Sequence, residues 1–280
     1  MIDYRVVITA MFVGGALVEL AAGRFLFREQ TTAKDLVLDL GAGLGLPVLV
    51  LPLIMTASAA ATEAVAPGSA NALAGWPAWA MFATLLIADD LTQYWWHRAS
   101  HTWPTLNLLH RAHHSAAYLS IRVVYRNNLL YYAMMPGLWL SGALLYLGFA
   151  PVYYVYYVAK MAVIISAHSS VGWDTKLLKI RWLAPLMWVV ARTISTPCTH
   201  AAHHGKHAAD GVTHYHGNYG NFLLVWDVLF GTAKISTERP RAFGLEQVEP
   251  ATWVQELVWP FRRRARPGAL PSPADEGGRP

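Results

Sequence analysis

Apolar residues along this chain come in long blocks. Val6 to Phe27 carries no charge apart from Glu19 and Arg24 and is long enough to cross a bilayer as a helix. Arg24 can snorkel to an interface from the end of that block, whereas Glu19 has no obvious partner. Leu36 to Met55 forms a second expected span, with Asp39 near its start and kinks expected at Pro47 and Pro52. Thr56 to Gly75 is rich in Ala, Ser, Gly and Pro and reads as a loop. A third apolar stretch, Trp76 to Ile87, continues through Asp89 and Asp90 into Leu91 to Trp96. Leu129 to Leu147 and Val152 to Ala167, the latter broken only by Lys160, pair about a Gly148-Phe-Ala-Pro151 turn. So tight a hairpin returns the chain to the side it left. Trp182 to Val190 is too short to span and reads as an interfacial or buried segment. The pattern predicts an all-α integral membrane bundle. Its expected divisions are 1–75 (transmembrane helices and a loop), 76–235 (the chemistry) and 236–280, a tail disordered beyond about Pro267.

Composition supports a membrane protein. Hydrophobic residues make up 55% and charged residues 14% of the chain, and the twelve Trp and thirteen Tyr suit the membrane interface. The net charge of +5 reads as flanking charge rather than a nucleic-acid patch. Lys and Arg are missing from the 56–75 loop and present on the opposite side. The positive-inside rule therefore puts that loop outside and the 97–114 region on the cytoplasmic face. A single cysteine, Cys198, excludes an internal disulfide and a thiolate cluster.

Histidine carries the candidate chemistry. His97 and His101 are four apart, and His110, His113 and His114 follow beyond Pro104, which breaks the helix between them. The second pattern, HxxHH, returns as His200, His203 and His204. Residues three and four apart share a helix face, and neutral imidazole is the commonest transition-metal ligand. His168 emerges from the hairpin on the same side. These nine imidazoles are too many for one tetrahedral zinc; two metal ions sharing them is the economical arrangement. Imidazole-rich ligation suits oxygen-activating iron, though ligand type alone leaves zinc open.

The ordered set HRxxH, HxxHH, lone His after a hairpin, HxxHH resembles the fatty acid hydroxylase and sterol desaturase superfamily. Asp90-Leu-Thr-Gln-Tyr94-Trp-Trp-His97 is similar to that family's lead into its first box. Asn218-Tyr219-Gly220 and Trp226-Asp227 through Gly231-Thr232 are similar to its closing elements. The resemblance covers Trp76 to Thr232. It implies a membrane-bound, O₂-dependent non-haem enzyme with two iron ions, zinc being a substitute in purified protein, that hydroxylates lipid C–H bonds (fatty acyl, sterol or other isoprenoid).

The nine histidines would be its ligands, with Asp90, Asn218 and Asp227 as acceptors that orient them. His207 and His214 are additional metal candidates. His216-Gly217 departs from the usual ending, where an aspartate stands shortly before the NYG element; Asp210 is a candidate replacement. Arg122 and Arg126 are candidates for a lipid head-group or an acidic electron donor, weighed against plain interfacial charge. Cys198 and the Tyr153–Tyr157 run read as structural.

No GxGxxG fingerprint or CxxCH haem site is present, so electrons would come from an external ferredoxin or reductase, a cytochrome b5-like donor included. Desaturation by the same site is the close alternative, and a zinc-dependent membrane hydrolase a weaker one. Transport is disfavoured because the His clusters flank the spans.

Overall fold

A computed structural model describes residues 3–27, 29–246 and 251–261. The expected disorder beyond Pro267 lies outside these residues. Among them the chain is helical, with no strand beyond two isolated bridges. The helices are α1 (Tyr4–Ala21), α2 (Ala33–Gly45), α3 (Leu51–Val65), α4 (Ala78–Leu85), α5 (Thr92–Thr102), α6 (Pro104–His114), α7 (Leu129–Ala133), α8 (Pro136–Leu144) and α9 (Ala150–Ala167). Then follow α10 (Trp173–Leu178), α11 (Ala184–Thr193), α12 (Pro197–His204), α13 (Val225–Leu229) and α14 (Trp253–Val258).

Three helical stretches are long and apolar enough to cross a membrane: Tyr4–Ala21, Ala33–Val65 and Pro136–Ala167. Their outward faces present Val13, Leu17, Leu40, Leu44, Leu53 and Val155, side chains suited to lipid. The helix of the second stretch runs on to Val65, so the expected loop starts ten residues later than the composition suggested. Its Ala-rich sequence has the highest intrinsic helix propensity, and Ala needs no buried partner to stay helical. Pro47 and Pro52 do not break this helix. Pro47 lies in a widened π-turn, Leu46–Val50, one of the ways a helix accommodates a missing N–H, and Pro52 lies in the first turn of α3 just after it. A second π-turn, Leu86–Leu91, joins α4 to α5 and carries Asp89 and Asp90.

The hairpin turns at Gly148, whose φ of +112° is open only to glycine. A Cβ there would stand 2.9 Å from the backbone nitrogen of Ala74. The turn sends α9 back, and His168 caps its end.

Charges inside the apolar blocks are paired. Glu19, fully buried, accepts from Ser120 Oγ at 2.6 Å and from the backbone N–H of Ser170 at 2.7 Å, pinning α1 to the loop after His168. Lys160 and Asp89 form a buried pair at 2.6 Å. Arg126, also fully buried, reaches Asp35 at 2.6 Å, Asp39 at 3.2 Å and the Ala112 carbonyl at 2.9 Å. Arg122 pairs with Asp39 at 2.8 Å and with Tyr118. This network staples α2 to α6 and corrects the expectation for both arginines: their guanidinium groups are committed inside the protein and do not reach out to a head-group or a donor protein.

Helix α14 packs onto α2 and α6. Its Glu256 pairs with Arg111 at 3.2 Å and Lys34 at 3.3 Å, so the segment after residue 236 is partly built into the fold. Helix α11 is amphipathic and leaves Leu186, Trp188 and Val189 exposed, as an interfacial segment would.

Candidate metal centre

Three local structures aim the histidines. Pro104 sits at the first position of α6, after an extended Trp103, which turns the chain sharply between α5 and α6. Thr196 and Thr199 cap the start of α12 reciprocally, with Pro197 following. His168 donates from Nδ1 to the Ile164 carbonyl at 2.8 Å, which fixes its ring against its own helix.

The result is two adjoining groups. His97, His101, His110, His114 and His203 form one, and His113, His168, His200 and His204 the other; within each group one ring nitrogen per residue lies within 4.8 Å of all the rest. All nine residues are buried. Every residue that sequence spacing singled out as a principal ligand is therefore brought together, and in two groups that could each hold a metal ion.

The outer ring nitrogens settle the tautomers. His97 donates from Nδ1 to the Tyr219 carbonyl at 2.7 Å and His203 to the Gly217 carbonyl at 2.7 Å. In the other group His113 donates to the Arg126 carbonyl at 3.2 Å, and His168 to Ile164. A carbonyl oxygen can only accept, so each Nδ1 carries hydrogen and each Nε2 presents a lone pair. Yet Nε2 of His97 stands 3.0 Å from Nε2 of His203, and Nε2 of His113 stands 3.4 Å from Nε2 of His168. Neither pair can form a hydrogen bond.

Protons do not resolve these contacts, because burial holds the rings well below the ordinary histidine range, His97 and His168 at about 4. A metal cation does. Two neighbouring nitrogens each ~2.1 Å from a metal lie ~3.0–3.4 Å apart. His101 supports the same reading: both of its ring nitrogens are buried without a hydrogen-bond partner, a state that a bound metal ion would satisfy at one of them.

The remaining candidates fall elsewhere. Asp227 accepts from the backbone N–H of Tyr219 at 2.8 Å, that of Gly220 at 2.6 Å and Thr232 Oγ1 at 2.6 Å. Asn218, at a positive φ of 54°, bridges to the Thr199 and Lys234 carbonyls. Both hold the loop whose carbonyls orient His97 and His203; neither touches a ring. Asp90 accepts from the Trp226 indole at 2.7 Å and lies off the histidine groups.

His207 is half-exposed and pairs with Glu246, His214 contacts the Thr232 carbonyl at 3.2 Å, and His216 packs beside Tyr215. None of these three joins either group. Sequence reasoning missed Asn127, whose Oδ1 accepts from His110 at 2.8 Å, and the four backbone carbonyls, which leave no side-chain signal. Of those, only the i−4 carbonyl that takes the His168 proton follows from helix geometry alone.

A narrow cavity of about 90 Å³ opens onto both groups at His97, His110, His113 and His168. Its wall away from the histidines is largely apolar and aromatic, including Leu46, Met135, Tyr131 and Met161, with Gln93, Asn127, Asn221 and the Lys160–Asp89 pair as polar exceptions.

Comparison with known proteins agrees with this arrangement. The chain is 26% identical to human alkylglycerol monooxygenase over 164 residues, and 28% identical to the zebrafish (Danio rerio) protein of that name over 160 residues. These matches cover 58% and 56% of the chain but only 32% and 30% of the two relatives. No solved structure matches. The sequence model for fatty acid hydroxylases matches residues 82–232, the segment that holds all nine clustered histidines, and the chain is a member of the fatty acid hydroxylase family.

Proposed function

We propose that the protein is a membrane-bound di-iron monooxygenase that hydroxylates a C–H bond of a lipid, with its histidine face on the cytoplasmic side. The observation that carries this reading is the pair of buried lone-pair contacts, His97 to His203 and His113 to His168, at the end of an apolar cavity. The first group would hold one iron and the second the other, all nine histidines serving as ligands.

When bound, the irons would supply O₂ activation: one oxygen atom enters the C–H bond and the other leaves as water, with two electrons and two protons delivered from outside. The protein's own residues do the rest. Neutral imidazoles, locked by carbonyl acceptors, offer lone pairs without a proton to displace. The apolar lining binds a lipid chain and keeps bulk water from the reacting carbon. Basic residues in the connection after the first apolar block and in the segments after Trp96, among them Lys34, Arg98, Lys176 and Lys179, favour the cytoplasmic assignment, and a ferredoxin or reductase would be the electron donor. The names of the relatives make an alkylglycerol the first lipid to try.

The test is metal analysis with Mössbauer spectroscopy on protein from ⁵⁷Fe-grown cells, beside His113→Ala and His203→Ala. About two coupled irons per chain are expected, lost in both variants. Stoichiometric zinc that survives either substitution, or a haem spectrum, would overturn the proposal.

A further inference from the structure

We infer that Gln93 binds a hydroxyl group of the substrate, so that this protein takes a lipid alcohol with its hydroxyl end toward the histidine wall. This rests on the lipid-oxygenase reading and names the substrate class for it.

Gln93 lies one helical turn before His97 on α5, on the same face, and lines the cavity that His97 closes. Its side chain is nine-tenths buried, and its amide oxygen has no hydrogen-bond partner. Leaving a buried amide oxygen unsatisfied is costly, so this position calls for a partner. Two polar neighbours in the wall are engaged elsewhere: Asn127 takes the His110 proton at 2.8 Å and donates to the Tyr132 hydroxyl at 3.1 Å. Asp89 takes the Lys160 ammonium and the Tyr156 hydroxyl at 2.6 and 2.9 Å, which completes a local cluster one turn further from the histidines.

The missing partner is therefore a group that enters with the ligand. A hydroxyl both donates and accepts, so it meets the amide whichever way the amide is turned. An ether or a ketone only accepts and leaves the amide oxygen bare. A plain hydrocarbon leaves the whole amide bare, and a carboxylate would bring a second negative charge toward Asp89. With the hydroxyl on Gln93, the carbons that follow lie along the apolar and aromatic lining of Tyr131, Met135 and Met161.

The experiment measures equilibrium binding of two lipids to the full chain in nanodiscs, as purified. One is 1-O-hexadecylglycerol; the other is the same lipid with both hydroxyls methylated. Wild type is expected to bind the free diol at least roughly tenfold tighter, in line with the cost of an unpaired buried amide. Gln93→Met, close in shape, should bring the two affinities together by weakening the diol, and metal content per chain should not change. Equal binding of both lipids by wild type, as expected if Gln93 is satisfied by water, overturns the inference. So does failure of the diol to bind, or a preference that survives Gln93→Met. A Gln93-dependent preference in protein that binds no iron upholds the hydroxyl site and sinks the oxygenase reading, so the two failures are separable.

Discussion

Asp227→Asn separates the support of the site from its ligands. The carboxylate is fully buried and accepts three bonds, from Tyr219 N–H, Gly220 N–H and Thr232 Oγ1, at 2.6–2.8 Å. Asparagine keeps one acceptor. Its amide nitrogen must then face a donor: turned toward Oδ2 it meets the Gly220 N–H, and turned toward Oδ1 it meets Tyr219. A charge-assisted bond contributes about 1.5–3 kcal/mol, and the opposed donors add the cost of an unpaired buried N–H, so the expected loss of stability is about 2–4 kcal/mol.

Because the Tyr219 carbonyl holds the His97 ring, the loss should reach the metal, at roughly ten- to hundredfold in affinity. The assay is metal retention against a graded chelator, beside detergent-phase unfolding. Asp90→Asn is the control: Asp90 accepts from the Trp226 indole, an asparagine oxygen can still do so, and metal retention should change less than about threefold. Equal losses in the two variants, or none in Asp227→Asn, would refute the reasoning.

Three further outcomes follow from the same geometry. Unfolded histidines titrate near 6.5, while burial holds the folded rings far lower, His97 and His168 at about 4. The unfolded chain takes up protons that the folded metal-free chain refuses, so stability present above pH 6.5 is lost as pH falls toward 4. The slope is about 1.4 kcal/mol per pH unit for each such histidine, and a flat profile between pH 7 and 5 in metal-free protein would contradict it. Arg126→Met leaves Asp35 without its buried counter-charge and should cost about 3–5 kcal/mol; Arg126→Met with Asp35→Leu should recover part of that in the same unfolding assay. Gly148→Ala forces a side chain into a φ of +112° and against Ala74. A loss of at least about 2 kcal/mol is expected, with weaker metal retention because His168 depends on the turn.

Helix spacing made the histidines legible. Imidazoles four apart share one helix face and fall in one group, and Pro104 and Gly148 mark the turns that bring separate segments together. The partners of the buried charges were not legible. Glu19 meets Ser120 and Ser170, and Arg126 meets Asp35, across long stretches of chain, and nothing local encodes such pairings. Asp90, Asn218 and Asp227 looked alike in sequence as acceptors for imidazole, yet the protons go to carbonyls these residues only support, or do not touch. Gln93 escaped notice because a single amide in an aromatic run has no pattern; its meaning lies in what surrounds it.

The division into two groups depends on a feature of HxxHH that spacing alone conceals. Adjacent residues on a helix point about 100° apart, so the terminal His-His cannot serve one ion. On α6, His110 and His114 turn to the first group and His113 to the second. On α12 the assignment is reversed: His200 and His204 turn to the second group and His203 to the first. Each box gives an i, i+4 pair to one group and a single ring to the other. His97 and His101 complete the first group and His168 the second. The two crossing rings, His113 and His203, are the ones that make the lone-pair contacts with His168 and His97. Each crossing ring ties the helix of one group to the other group, so two ions bound there would share both helices. Repetition of the box is thus the means by which two helices would hold two ions as a single unit.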